Sequence, residues 1–136
     1  IANGGAVLGA QAMGADLAYI GSPWIATFEA NADEGYKQGI VEGAASDIVY
    51  SNLFTGVHGN YLRQSIVNAG LDPDNLPEGD ISTMNFGSGG NTEAKAWRDI
   101  WGSGQGVGAV KAVESVADRV DRLEREYLAA RARLAL

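Results

Sequence analysis

The run Asp16-Leu17-Ala18-Tyr19-Ile20-Gly21 constrains this chain more than any other feature. It is short, nearly continuously apolar and closed by glycine, the pattern of a strand covered on both faces in a parallel sheet. A lone strand leaves its backbone donors and acceptors without partners, so the remaining strands must lie in further sequence or in another chain. Just before it, residues 6–13 (AVLGAQAM) spell a short helix with small residues on one face, stopped by Gly14, which accepts positive φ. Helix, Gly-Ala turn and strand make the αβ half of a βαβ unit, so the fold class is α/β. Residues 1–5 (IANGG) read as a loop caught in mid-course, with no initiator methionine, and the chain is expected to be a piece of a longer one.

Beyond the strand the pattern is mainly helical. Helices are expected over 30–45 and from 57 or 59 to 68, the second closed by Gly70. Residues 71–90 hold the turn chemistry Asp72-Pro73-Asp74, Pro77-Glu78-Gly79 and Gly87-Ser88-Gly89-Gly90, too long for a plain connector and therefore a candidate functional loop. Thr92 can cap a helix running to Trp101. A last helix over 107–134 places Val113, Val116, Val120, Leu123, Tyr127 and Leu134 on one stripe, which is expected to pack on its own protein, with Asp118/Arg122, Asp121/Arg125 and Arg122/Glu126 spaced for i,i+4 pairs. The organisation expected is a βα unit over 1–28 followed by a mainly helical region over 29–136.

Charge and composition remove several functions. The first ninety residues carry ten acids and only two bases, Lys37 and Arg63, which argues against a nucleic-acid surface. No run approaches the ~20 apolar residues of a membrane span. There is no cysteine, hence no disulfide framework and no thiolate site, and an intracellular, cytoplasmic location is the expectation. His58 is the single histidine, and in Thr55-Gly56-Val57-His58-Gly59 it reads as a turn residue before a base. No zinc-type spacing occurs, and Asp33-Glu34 and Asp72/Asp74 read as solvated loop acids, so no metal is expected.

Two glycine sites remain. Gly104-Gln105-Gly106-Val107-Gly108-Ala109 matches G-x-G-x-x-A in letter but follows a helical pattern where a dinucleotide site needs a strand. It stands equally as helix-packing glycines or as a turn whose free amides, around Gln105, face an anion or a flavin edge. The stronger site is Tyr19-Ile20-Gly21-Ser22. The C-terminal end of a parallel strand opens into the crevice where α/β proteins bind ligands, glycine admits a phosphate, and Ser22 adds an amide and a hydroxyl. In a β/α barrel the loops after the last two strands form the phosphate site together, and the loop containing Gly4, which leads into the preceding helix, is placed to be the second. A tight strand exit with a capping serine is the alternative.

The run IANGGAVLGAQAMGADLAYIGSPWIAT resembles the phosphate-binding C-terminal half of the nitronate monooxygenase (2-nitropropane dioxygenase) family of flavin barrels. FTGVHGNYLRQSI and AWRDIWGSGQGVGAV also resemble that family, so the similarity covers nearly the whole chain. The resemblance implies the C-terminal portion of a (β/α)8 TIM barrel with additional C-terminal helices, FMN as cofactor, and a small-molecule nitronate and dioxygen as substrates of the intact monooxygenase. It implies that Tyr19, Ile20, Gly21 and Ser22 occupy the FMN-phosphate motif, with Tyr19 in place of the family's glutamine and Ser22 in place of its threonine. The family's catalytic histidine belongs to an earlier strand, so none of these residues is catalytic and the isolated chain is expected to be inactive. Two other readings stand beside it: another FMN barrel such as an enoyl-acyl-carrier reductase, and a non-enzymatic acidic helical interaction module. Self-association into a homo-oligomer is compatible with all three.

Overall fold

A computed structural model describes residues 1–79 and 99–135. They fall into two compact units, one built from Ile1–Glu42 with Gly106–Leu136, the other from Gly43–Gln105.

In the first unit, helix α1 (Gly4–Ala12) begins at Asn3, whose Oδ1 accepts the Ala6 N–H at 2.8 Å. It ends on Gly14, held at φ 96°. Residues 17–20 alternate between exposed and half-buried, the spacing of an extended run, but the strand expected over 16–21 is not formed among the described residues: Asp16 lies at a bend, and Leu17, Ala18, Tyr19 and Ile20 make no backbone hydrogen bond there. The short helix α2 (Ser22–Ile25) follows, with Pro23 buried in its first turn. Helix α3 (Glu34–Glu42) starts where the Asp33 carboxylate accepts the Gly35 N–H at 2.8 Å, and buries Lys37 and Ile40. The sequence placed this helix at 30–45, longer at both ends.

Helix α5 (Val116–Arg133) starts nine residues later than the pattern predicts. The backbone before it is committed elsewhere. Residues 105–109 form a 310 helix that buries Val107. The Phe28 N–H donates to Glu114 O at 3.0 Å, and the Glu114 N–H to Ala26 O at 3.4 Å, a parallel bridge between Thr27 and Glu114. The helix then opens on Ser115, whose Oγ accepts the Asp118 N–H at 3.0 Å. Glu29 adds a carboxylate from a distant loop, both oxygens 3.0 Å from the Val116 N–H. A charge at a helix N-terminus is favourable there.

The buried face of α5 is also rotated from the predicted stripe. Arg119 and Ala130 are buried, whereas Val116, Val120 and Leu134 are exposed. The reason is the approach of α1: a Cβ on Gly4 would lie 2.1 Å from Leu123 O and 2.4 Å from the Tyr127 amide, so the two backbones touch there. Tyr127 Oη meets Gln11 Oε1 at the far end of the same contact. The predicted Asp118/Arg122 and Arg122/Glu126 pairing gives way to Glu114, which binds Arg122 and, at 2.8 Å, Arg119 Nε. Glu114 and Arg119 are 8 % and 2 % exposed. That Nε contact is close in distance but poorly aligned for a hydrogen bond, so it acts chiefly through charge.

In the second unit, strands β1 (Ile48–Ser51) and β2 (Gly59–Leu62) pair antiparallel, from Ile48 opposite Leu62 to Ser51 opposite Gly59. The sequence reading assigned 59–62 to a helix; only helix α4 (Arg63–Asn68) follows that expectation. The strand is selected by pairing on both of its edges: Leu62 N–H donates to Trp101 O at 2.8 Å and Ser103 N–H to Asn60 O at 3.0 Å, beside the hairpin partner β1. Ser65 Oγ donates to Leu62 O and accepts the Trp101 N–H, fixing α4 to that crossing. Val49, Tyr61, Ile66 and Ile100 form the core, with Phe54 edge-on to Tyr61. Most of the predicted loop at 71–90 and of the helix predicted at 92–101 lies outside the described residues. No described helix is long and apolar enough to cross a membrane.

Removing one partner from a buried ion pair strands the other charge. Arg119→Ala is therefore expected to lower the stability of the protein by about 3 kcal/mol in urea unfolding. Arg122→Ala, at a half-buried position, is expected to cost less than half as much; equal losses would show that Glu114 does not distinguish the two arginines.

Candidate functional site

The extended segment ends at Gly21. Its backbone has φ −116° and ψ −70°, a Cβ built there meets nothing within 4 Å, and its N–H has no acceptor among the described residues. Glycine is thus not required here by a positive φ or by a neighbour; the space in front of it is open. Ser22 begins α2 beside it, and Pro23 contributes no N–H. Two adjacent small residues with amides at the start of a helical turn form a donor set suited to an anion. Ile20 is half-buried and Tyr19 is 93 % exposed.

Gly4 has a different occupation. Its N–H donates to Glu126 Oε2 at 2.9 Å and its Cα lies against the α5 backbone. This accounts for the glycine by helix packing and places an internal carboxylate where the sequence reading put a phosphate. In the same first turn the Asn3 side chain takes the Ala6 amide, which leaves the Gly5 N–H without an acceptor among the described residues. The sequence does not single out the Gly5 amide, because which first-turn donors remain open depends on Asn3 and on a glutamate 122 residues away.

Gln105 is exposed at the start of the 310 helix, and a Cβ on the next residue, Gly106, would come 2.9 Å from the Ala2 Cβ. The glycines of this turn therefore serve close packing at Gly106, one of the two readings open in the sequence. Among the described residues 99–104 no strand precedes them, only an isolated bridge at Gly102.

His58 stacks on Tyr50 across the hairpin with ring centroids 4.7 Å apart, and both are exposed. Asp74 binds Arg63 through two hydrogen bonds of 2.9 Å, which hold its carboxyl below the usual range. Asp72 is lowered by the Asn75 amide first and by the Asp74 N–H second. Both are solvated loop acids, as the sequence predicts. Burial depresses the Arg119 guanidinium against the opposing pull of Glu114, and burial raises the Tyr36 phenol. Among the described residues no group of three His, Cys, Asp or Glu side chains is arranged to hold a metal.

A segment leading from one helix to an open glycine exit, followed by further helices, fits the C-terminal portion of a (β/α)8 barrel, and the fold is of that class. The FabK M276A variant of Thermotoga maritima superposes with a TM-score of 0.68 at 21 % identity, covering 99 % of this chain and 41 % of that one. A second FabK structure from the same organism gives 0.66 at 18 % identity, over 99 % of this chain and 44 % of that one. In sequence the chain is similar to the nitronate monooxygenase of Paraburkholderia phytofirmans, 28 % identical over 133 residues, as its motifs indicate. That match covers 93 % of this chain, which spans about a third (36 %) of the relative's length. No protein-family profile matches.

His58 is exposed, and the ring contact it makes is with Tyr50. His58→Phe keeps the stack and is expected to leave oxygen uptake by the full-length protein within about two-fold of wild type; a hundred-fold loss, about 2.7 kcal/mol of transition-state stabilisation, would make His58 catalytic.

Proposed function

We propose that this chain is the flavin-phosphate-binding part of an FMN-dependent barrel oxidoreductase, and that the intact enzyme is a nitronate monooxygenase that oxidises alkyl nitronates with dioxygen. The observation that carries the reading is the segment of residues 17–20, without backbone pairing among the described residues, ending at the open Gly21. The likeness to the nitronate monooxygenase of P. phytofirmans and to FabK supports the class.

The residues present fit the phosphate of FMN. Gly21 offers an unengaged amide with open space in front of it, Ser22 an amide and a hydroxyl, and Gly5 an amide in the first turn of α1. Gly4 is not in this set, because Glu126 holds its amide. Bound FMN supplies the redox chemistry. The chain's own contribution is to fix the phosphate end: small residues let the dianion reach the backbone, and dipoles set in advance at two helix starts replace its water shell. Glu126 keeps the Gly4 amide satisfied and is itself half-buried, so its negative charge limits the number of further anions that α1 can accept.

In the full-length protein Ser22→Ala is expected to weaken FMN by about 5- to 150-fold, the effect of about 1 to 3 kcal/mol for a hydrogen bond to a charged group. Riboflavin, which lacks the phosphate, should be indifferent to that change. Gly21→Val should abolish FMN binding by filling the open space. Equal losses of FMN and riboflavin in Ser22→Ala would show a structural serine. The 136-residue chain alone is expected to give no nitronate-dependent oxygen uptake above a free-FMN control.

A further inference from the structure

The extended segment has two unlike faces. Leu17 and Tyr19 are 91 % and 93 % exposed, while Ala18 and Ile20, the alternate positions, are half-buried. Side chains alternate across a strand, so Ala18 and Ile20 face the helical layer of this unit and Leu17 and Tyr19 face away from it. Ala18 lines a cleft of about 220 Å³ with Val7 and Ala10 of α1; Leu17 also borders it, although its side chain is 91 % exposed, so the assignment of faces is carried by Tyr19 and Ile20. In a β/α barrel the helices lie outside, and the side of each strand that turns from its helices looks into the barrel.

We infer that Leu17 and Tyr19 are barrel-interior residues, with Tyr19 forming a wall of the cofactor chamber against the ribityl chain and ring system of the flavin, where it makes no contact with the phosphate. This rests on the flavin reading above. Direction along the strand assigns the two roles. Gly21-Ser22 mark the C-terminal end, where barrel ligands bind, so Tyr19 stands in the layer below that mouth and Leu17 a further layer down, about 7 Å deeper. Strand alternation puts Tyr19 on the same side as Gly21, two residues on. An aromatic side chain at that place offers a flat apolar surface to a bound ring without occupying the phosphate's donors. The sequence motif grouped Tyr19 with Gly21 and Ser22 at the phosphate; depth along the strand, about 7 Å over two residues, separates Tyr19 from Gly21.

The test uses the full-length protein and titrations with FMN and riboflavin. Tyr19→Ala is expected to weaken both flavins by the same factor, ten-fold or more, and to change the visible spectrum of what remains bound. Tyr19→Phe should stay within two-fold for both. Leu17→Ala should lower thermal stability and leave flavin affinity unchanged. Nitration of Tyr19, read by mass spectrometry on the wild-type protein, should be suppressed by riboflavin as well as by FMN, a measurement that does not depend on any variant folding. Loss of FMN affinity alone in Tyr19→Ala, or nitration blocked only by FMN, would put Tyr19 at the phosphate and overturn the inference. Unchanged affinity for both flavins with unchanged nitration would also overturn it, leaving the flavin reading intact. If wild type binds neither flavin, that reading falls and this inference with it.

Discussion

Glu114 is the point on which the first unit turns. Its backbone joins the segment after α2 through the bridge to Thr27, while its carboxylate is held by Arg119 and Arg122 from the first two turns of α5. A charge so deeply buried is costly unless paired, so the bridge and the helix cannot be set independently. With the start of α5 fixed, Glu29 and Ser115 satisfy its first amides, and the helix runs in the one direction that brings Leu123 to Tyr127 against Gly4. The strand that carries the candidate site is thereby aimed through α1, without any sheet partner of its own among the described residues.

That chain of dependence explains why Gly4 misleads a reader of the sequence. A glycine in the loop before a helix is read as room for a phosphate, and here the room is filled by another helix. The same helix start still attracts negative charge, and Glu126 supplies it from inside the protein. Two glycines in succession then divide the work: the first allows backbone contact with α5, and the second keeps an open amide. Nothing in the local pattern IANGGAV distinguishes them, since the distinction is made by residues 123–127.

Local signals located the elements whose causes are local. The helix closed by Gly14 and the end of α4 near Gly70 follow from apolar spacing and left-handed glycines, and both are where the sequence puts them; the strand expected over 16–21 is not, because no described strand pairs with it. The hairpin was missed although Ile48-Val49-Tyr50 has the β-branched and aromatic composition of a strand; its partner Gly59-Asn60-Tyr61-Leu62 runs into a helical pattern with no break. Only pairing on two edges, with β1 and with residues 101–103, makes it a strand. For α5 a usable signal was present in Ser115-Val116-Ala117-Asp118, a serine with an acid three residues on, and hydrophobic periodicity continuing upstream through Val107 and Val110 concealed it. Of the candidate site, the open space before Gly21 was legible because it depends on local turn chemistry, whereas the open amide of Gly5 and the exposure of Tyr19 were not, because they depend on which side the helices cover.

The exposed pair Leu17 and Tyr19 states the same constraint in energetic terms. Covering a leucine or a large aromatic side chain is worth about 1.5 to 3 kcal/mol each, and an extended backbone gains further when its donors and acceptors enter a ladder in place of water. Neither gain is realised within the described residues, although side-chain burial over 17–20 already alternates as it does in a strand. What holds it is the two ends: Gly14 turning out of α1 and α2 starting at Ser22, a helix fixed in turn by Thr27 on Glu114. The segment is therefore preorganised for a sheet by packing on one face only. A segment prepared in this way loses little further conformational entropy when neighbours pair with it, which is the condition for fixing the position of Gly21 in advance of any ligand.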